Sequence, residues 1–453
     1  MSAQEPGLDS VDRYISAERE RQRIPGISVA VLRDNQVLLA RGYGLANVEL
    51  AVPASDSTVY QSGSVGKQFT AAAVLMLAQQ RRLSLDDAIT RWLPQGVGVW
   101  DRVTVRHLLT HTSGIREYTD STFDYRRDYT EDQLVSFAAA RALDFTPGER
   151  WSYSNTGYVL LGAVIRRVTG RFYGMVLKEL IFSPLEMHST RIISEAEIVP
   201  HRSAGYRLVE GRLEHQEWVA PTLNTTADGS LYVSIRDMIK WAVALNWGTV
   251  PGAEVLRMAW TPTRLQDGAA YPYGFGWDLS EQRGLPRIGH TGSWQGFKAA
   301  IALYPEHRLT VIALANLAQS EPGAVIEAIA GILEPALQPP HQLTKALPGL
   351  TPQLPIDQLL RDLASGKEKE AVTKRFRRFV SPALRGELRQ LLDRTEAWTT
   401  LGCDRVARQG MTWLGATVER ICYAKGIAPE ERTIASVYYT ADWRAAHLHV
   451  SRF

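Results

Sequence analysis

Ser64-Val-Gly-Lys67, followed by Gln68-Phe-Thr-Ala-Ala-Ala-Val-Leu-Met-Leu-Ala78, is the stretch that decides how this chain reads. The apolar run contains good helix formers and neither Gly nor Pro, so it predicts a helix. Residues i and i+3 share a helical face, which returns Lys67 beside Ser64 one turn later. Ser64 then lies near the helix N-terminus, where unpaired amides and the macrodipole favour developing negative charge. A serine hydroxyl is a weak nucleophile until a neighbouring base takes its proton, and this spacing supplies an amine for that task. By itself Ser-x-x-Lys more often marks a helix cap, so its meaning depends on what the rest of the chain brings to it.

The 453 residues are enough for two or three domains with large cores, and the apolar and charged fractions are those of a globular protein. A net charge of +3 gives no field that would argue for nucleic acid. No run approaches the roughly 20 apolar residues of a membrane span. The start, Met1-Ser-Ala-Gln-Glu-Pro, lacks the basic and apolar stretches of a secretory signal, and the compartment stays open. The two cysteines, Cys403 and Cys422, lie in the last quarter, so no thiol serves the main domain and no zinc spacing exists. The pair can face across a hairpin turning near Gly410-Met411-Thr412. A disulfide and a reduced, buried pair are both compatible with that.

Asp9 to about Arg21 reads as an opening helix. Ile27–Leu32 and Val37–Arg41 read as strands joined by a turn at Asp34-Asn35. Strand character returns at Ile288, Phe297–Leu303 and Leu309–Leu314, before a helix from about Pro322 to Leu333. Between these ends the chain is read as mostly helical. The expected fold is α+β: an antiparallel sheet built from both ends of residues 1–336, flanked by helices, with an inserted helical subdomain at about 84–270. A proline-rich linker at 337–355 leads to a small α+β domain at 356–453, expected as a helical stretch and then four strands.

Three segments bear on Ser64. Trp151-Ser-Tyr153-Ser-Asn155 offers a phenol and an amide two residues apart, on one side of an extended segment. Tyr can relay protons, and Asn can both donate to and accept from a substrate amide. Gly289-His290-Thr291-Gly292-Ser293 opens a strand whose glycines let backbone approach a ligand closely. The amides of Ser293 and Ser64 form a candidate oxyanion pair, and His290 a proton partner or carboxylate anchor. His111, in Leu108-Leu-Thr-His111-Thr-Ser-Gly114, reads as a structural histidine favoured at a helix C-terminus rather than as a base.

In this order, Ser64-x-x-Lys67, Tyr153-x-Asn155 and His290-Thr291-Gly292 resemble the three signature boxes of the penicillin-recognising serine hydrolases. The Tyr-x-Asn box is similar to the branch of class C β-lactamases, DD-peptidases, esterases and D-aminopeptidases, as are Arg106–Gly114 and Tyr273-Gly-Phe-Gly-Trp277. The resemblance covers about residues 9 to 335. Class C β-lactamases carry Lys where His290 stands here, which points away from efficient β-lactam turnover. The resemblance implies an acyl-enzyme on Ser64, with Lys67 or Tyr153 as base and His290 completing the catalytic group. It further implies substrate binding by Asn155, Thr291, Gly292 and Ser293.

The expected substrate is a small molecule or peptide carrying an amide or ester, with no cofactor, metal or nucleic acid. A Ser-His-Asp hydrolase built on an α/β-hydrolase sheet is disfavoured because residue 62 is Ser, which breaks the Gly-x-Ser-x-Gly elbow. A non-catalytic, penicillin-sensor-like module is the alternative, and retention of Lys67, Tyr153 and Gly292 argues against it. The run Lys367–Arg378 is expected as the solvated face of a helix. The C-terminal domain is a candidate for homodimer contacts by analogy alone.

Overall fold

The computed structural model describes residues 7–119, 123–340, 347, 350–368, 370–406, 412–413, 416–428 and 432–452. Contacts divide the chain into two compact units. The first comprises residues up to Gln266 with Tyr273–Leu279 and Arg287–Leu333. The second holds Asp267–Pro272, Ser280–Pro286 and Glu334–Phe453.

In the first unit, helix α1 (Leu8–Arg21) precedes strands β1 (Gly26–Arg33), β2 (Gln36–Asn47) and β3 (Val52–Pro53). Asp34 and Asn35 both adopt positive φ, of 52° and 65°, which suits the tight turn joining β1 to β2. Helix α2 (Lys67–Gln79) follows a single 3-10 turn at Gly63–Gly66. Helix α3 (Asn155–Thr169) starts at the Ser154 cap, whose hydroxyl accepts from Gly157 N, and stops at Gly170 in the left-handed region. Strands β4 (Asp278–Gln282) and β5 (Leu285–Trp294), of which residues Ser280–Pro286 are counted with the second unit, and then β6 (Phe297–Tyr304) and β7 (Leu309–Ala315) lead to helix α4 (Pro322–Leu333).

These strands make one sheet in the order β4-β5-β6-β7-β1-β2-β3. The two ends of the first unit meet where β1 pairs antiparallel with β7, Ile27 facing Ala315 and Arg33 facing Leu309. Both strands are buried almost throughout, which is why they read as unbroken apolar runs rather than as an alternation. Burial on both faces by helices makes this pairing the core of the unit.

The stretch 84–270, read as mostly helical, also contributes short strands. Arg191–Ile192 and Leu231–Ser234 within it join Val59–Gln61 in a three-stranded sheet, and Tyr206–Val209 pairs with Arg212–His215. These strands are two to four residues long, too short for a periodicity to register. The helix that ends before His111 is short, spanning Val105–Leu109 with Thr104 as its cap.

In the second unit the helical stretch breaks into α5 (Ile356–Ser365), α6 (Lys374–Phe379) and α7 (Pro382–Arg394), divided by left-handed Gly366 and by Ser381-Pro382. Strands β8 (Ala397–Arg405), β9 (Arg420–Ile427), β10 (Arg432–Tyr439) and β11 (Ala445–Arg452) form an antiparallel sheet in sequence order. Cys403 and Cys422 are register partners on β8 and β9 and are joined by a disulfide. The turn expected near Gly410-Met411 and much of the proline-rich linker, residues 341–346 and 348–349, lie outside the described residues. The charge run is not wholly solvated, because Glu368 is buried and takes two hydrogen bonds from the Arg385 guanidinium, at 2.7 and 3.1 Å.

Candidate active site

Ser64 lies in the 3-10 turn before α2, partly accessible, while Lys67 begins the helix and is fully buried. The Lys67 ammonium donates to Ser64 Oγ at 3.1 Å, Asn155 Oδ1 at 2.8 Å and the carbonyl of Asp228 at 2.6 Å. Burial lowers its pKa to about 8, against the opposing pull of the Asp228 and Glu117 carboxylates. An ammonium has three N–H donors, and all three are used. Once neutral, the amine has two N–H bonds and one lone pair. An amide oxygen and a carbonyl oxygen can only accept, so Ser64 is the one partner able to donate a proton in return. The geometry therefore aims the lone pair of neutral Lys67 at the serine hydroxyl.

Asn155 is the first residue of α3, set there because extended Ser154 caps the helix. Its backbone N–H donates to Glu117 Oε2 at 2.6 Å, so Glu117 holds the helix start that presents Asn155 to Lys67. The Tyr153 ring lies beneath the Lys67 ammonium, with Nζ 5.0 Å from the ring centroid. The Tyr153 hydroxyl is buried and makes no hydrogen bond among the described residues. Burial pushes its pKa well above the ordinary phenol value, and proximity of the Ser64 hydroxyl is the one influence acting the other way.

Gly292 and Ser293 on β5 lie directly against the Ser64 turn. A Cβ at Gly292 would fall 2.1 Å from the Ser62 carbonyl and 3.0 Å from Ser64 N, and one at Gly63 would fall 2.4 Å from Ser293 N. Gly63 also has a φ of +49°, a conformation open to glycine at little cost. The amides of Ser64 and Ser293 are brought close by these two glycines, as an oxyanion pair requires. Strand β5 has 10 residues and β4 only 5, so the Ser293 end of β5 outruns its neighbour and presents an edge.

Two cavities flank Ser64. One of about 450 Å³ is lined by Trp151, Tyr153, Asp278, His290, Thr291, Ser293 and Lys298, among others. The other, about 70 Å³, is lined by Tyr118, Asn155, Asp228, Ser230 and Trp294 with Ser64 and Ser293. Ser64, Lys67 and Asn155 are hydrogen-bonded together, with Tyr153 stacked on them. His290 stands one ring further out, its centroid 6.3 Å from that of Tyr153, and bonds to Tyr273 and to Thr291 O instead of to the serine or lysine.

His111 stands at the helix C-terminus as expected, in the left-handed position just past the Thr110 cap with a φ of +58°, where the Thr112 N–H closes back onto the His107 carbonyl at 2.9 Å. Burial, followed by Lys67 and His290, pushes its pKa well below the usual imidazole value. It is a neutral anchor whose ring packs on Tyr153, centroids 4.3 Å apart.

Asp228, Glu117 and Tyr118 escaped sequence reasoning, and Tyr273 entered it only within the segment Tyr273–Trp277, without a role. The chain carried only indirect signals of them, namely neighbouring glycines. Gly229, with a φ of +144°, would carry a Cβ 2.1 Å from the Gly63 carbonyl, and one at Gly276 would meet the Lys67 carbonyl at 2.9 Å. Close backbone approach at these glycines brings Asp228 and Tyr273 to the site. Among the described residues no group of three or more His, Cys, Asp or Glu side chains is placed to hold a metal, and no helix is long and apolar enough to cross a membrane.

With this geometry in hand, the comparisons with known proteins give the class. The Beta-lactamase family model matches residues 11–334. The chain belongs to that family, and it is a serine hydrolase. It is 29% identical over 306 residues to penicillin-binding protein 4* of Bacillus subtilis, a match covering 64% of this chain and 67% of that protein. It is 30% identical over 344 residues to a D-aminopeptidase of Gluconobacter oxydans, covering 73% and 62% respectively. The chain thus spans about two thirds of the length of these relatives. Among solved structures, a D-stereospecific amidohydrolase from Streptomyces sp. aligns with a TM-score of 0.61 and 27% identity, over 71% of this chain and 98% of that one. The octameric penicillin-binding protein homologue from Pyrococcus abyssi shares the fold over 96% of this chain and 97% of its own, with a TM-score of 0.66 and 24% identity.

Gly292→Ala should lower kcat about a hundredfold, the size of losing one oxyanion donor, in a protein whose circular dichroism is unchanged. Steady-state kinetics beside the spectrum checks this.

Proposed function

We propose that the chain hydrolyses amide or ester bonds through an acyl-enzyme on Ser64, with neutral Lys67 as the base. The observation that carries this reading is the buried amine, 3.1 Å from Ser64 Oγ, with its other two N–H bonds spent on groups that can only accept. Lys67 takes the Ser64 proton as the oxygen attacks the substrate carbonyl. The Ser64 and Ser293 amides stabilise the tetrahedral oxyanion. Tyr153 hands its proton to the leaving group and regains one from the Lys67 ammonium, which returns the amine to its neutral form, and the upward displacement of its pKa favours a phenol that donates over a phenolate that abstracts. Asn155, its oxygen held by Lys67, directs its N–H₂ toward the substrate acyl side. Thr291 and Ser293 are exposed on β5 and offer hydroxyls to the leaving group.

The small cavity supports a narrower reading of the substrate. The Asp228 carboxylate lines it and the Glu117 carboxylate acts on the same Lys67, so the acyl side of Ser64 carries negative potential. That field favours an acyl group bearing an ammonium, as in an aminoacyl amide, over a neutral one. The D-aminopeptidase and D-stereospecific amidohydrolase relatives agree with this preference. His290 in place of a lysine removes a permanent cation that a β-lactam carboxylate would use. For the second unit, exposed Phe379 and Ile427 support self-association. Light scattering on the full chain should return at least twice the monomer mass, and a monomer would dismiss that role.

Ser64→Ala should abolish acylation by an activated ester, read as loss of the mass adduct. For the native chain kcat/KM should climb as pH rises through about 8, because the lysine must lose its proton to act. A rising limb placed instead above pH 10 would assign the base to Tyr153. Asp228→Asn should raise KM about tenfold for aminoacyl p-nitroanilides while leaving KM for uncharged acyl esters within about twofold, a difference of one charge–charge contact.

A further inference from the structure

His290 and His111 are joined through Tyr273. The Ser154 N–H donates to His111 Nδ1 at 3.1 Å, so that nitrogen carries a lone pair and the His111 proton is on Nε2. His111 Nε2 lies 3.1 Å from Tyr273 Oη, and Tyr273 Oη lies 3.0 Å from His290 Nε2. At the far end His290 Nδ1 lies 2.6 Å from the Thr291 carbonyl, which can only accept, so Nδ1 carries the proton. With both ends fixed by backbone, one assignment satisfies every link in the neutral state. His111 Nε2–H donates to Tyr273 Oη, Tyr273 O–H donates to His290 Nε2, and His290 Nδ1–H donates to Thr291 O.

We propose that Tyr273 is a positioning residue that holds His290 as its neutral Nδ1–H tautomer, with the Nε2 lone pair occupied and withheld from substrate. This rests on the reading of Ser64 and Lys67 as the reactive pair and assigns the third-box histidine a role within it. The residue that replaces a lysine contributes no cation to the cleft. It neither donates a proton to the leaving group nor draws a carboxylate by charge.

The groups facing His290 are consistent with this. Lys67 on α2 and Arg287 on β5 disfavour a second positive charge, as does burial, while Asp278 on β4 and the Thr291 carbonyl favour one. Tyr153, His111 and Tyr273 complete the surroundings with uncharged rings. The other neighbour able to accept the Tyr273 proton is Tyr158, which gives its own to the Leu109 carbonyl at 3.0 Å. The two hydroxyls are close enough to interact, an interaction that lowers the Tyr158 pKa and raises that of Tyr273, so Tyr158 is the competitor for the Tyr273 proton. Were the Tyr273 hydroxyl to turn to Tyr158, His290 Nε2 would be free to take a proton, and the chain would be broken.

The test is the long-range ¹H–¹⁵N spectrum of the full chain labelled at histidine, with the signals assigned from His290→Gln and His111→Gln. His290 should show the neutral Nδ1–H pattern at pH 6.5 and above, with any titration falling below the ordinary imidazole value. In Tyr273→Phe its midpoint should rise relative to the native chain, because the donor to Nε2 is gone while burial, Lys67 and Arg287 still hold it down, and the kcat/KM profile should shift with it. A native His290 that is protonated at Nε2, or that titrates at or above about 6.5, overturns the proposal. So does a folded Tyr273→Phe variant with an unaltered His290 signal. The native spectrum stands as a test even if that variant does not fold. A Ser64→Ala protein that remained active would sink the acyl-enzyme reading and leave this tautomer result untouched.

Discussion

The structure of the site follows from the burial of one ammonium group. Lys67 is withdrawn from water at the start of α2, and no carboxylate forms an ion pair with it among the described residues. Desolvation disfavours the charged form, and the surrounding oxygens compensate by hydrogen bonding without cancelling the charge. An amine placed this way is poised near neutral pH, where it can both give up and regain a proton. A carboxylate in direct contact would have locked it as a cation. Asp228 offers its carbonyl to Lys67, while its carboxylate receives the Tyr118 hydroxyl at 3.0 Å.

That environment is assembled from distant parts of the chain, and the sheet is what holds them together. Pairing of β1 with β7 closes the two ends of the first unit on each other. The strands continuous with that pairing carry Gly292 and Ser293 against the turn bearing Ser64. Here the tolerances are set by glycine: a methyl group at residue 63, 229 or 292 would overlap backbone on the opposing segment. Close packing of main chain against main chain fixes the Ser64 and Ser293 amides on rigid elements, the preorganisation that the proposed oxyanion pair calls for.

Much of this was legible beforehand. The apolar run after Lys67 and the buried strands at Ile27–Leu32 and Leu309–Leu314 follow from local rules of propensity and periodicity. The four-stranded end of the second unit also follows from its alternating runs. The short strands within 84–270 did not, because two to four residues carry no period. His111 holds the structural place at the helix C-terminus that its neighbours in sequence indicate, but not as a charge. Its position near a helix end suggested a charge–dipole contact, whereas burial leaves it neutral and uses its ring to seat Tyr153.

The sequence by itself determined which chemical groups are available, in what order, and which segments are stiff enough to carry them. A serine three residues from a lysine on a helix, a tyrosine before a capped helix and a glycine-lined strand are local facts, encoded by neighbours in the chain. Only the tertiary structure decided how the protons are distributed among them. The acceptors of Lys67, the link from His111 through Tyr273 to His290, and the Asp228 cavity all join residues tens to hundreds of positions apart. Desolvation and hydrogen-bond direction depend on what surrounds a group in space, and a linear pattern does not contain that information.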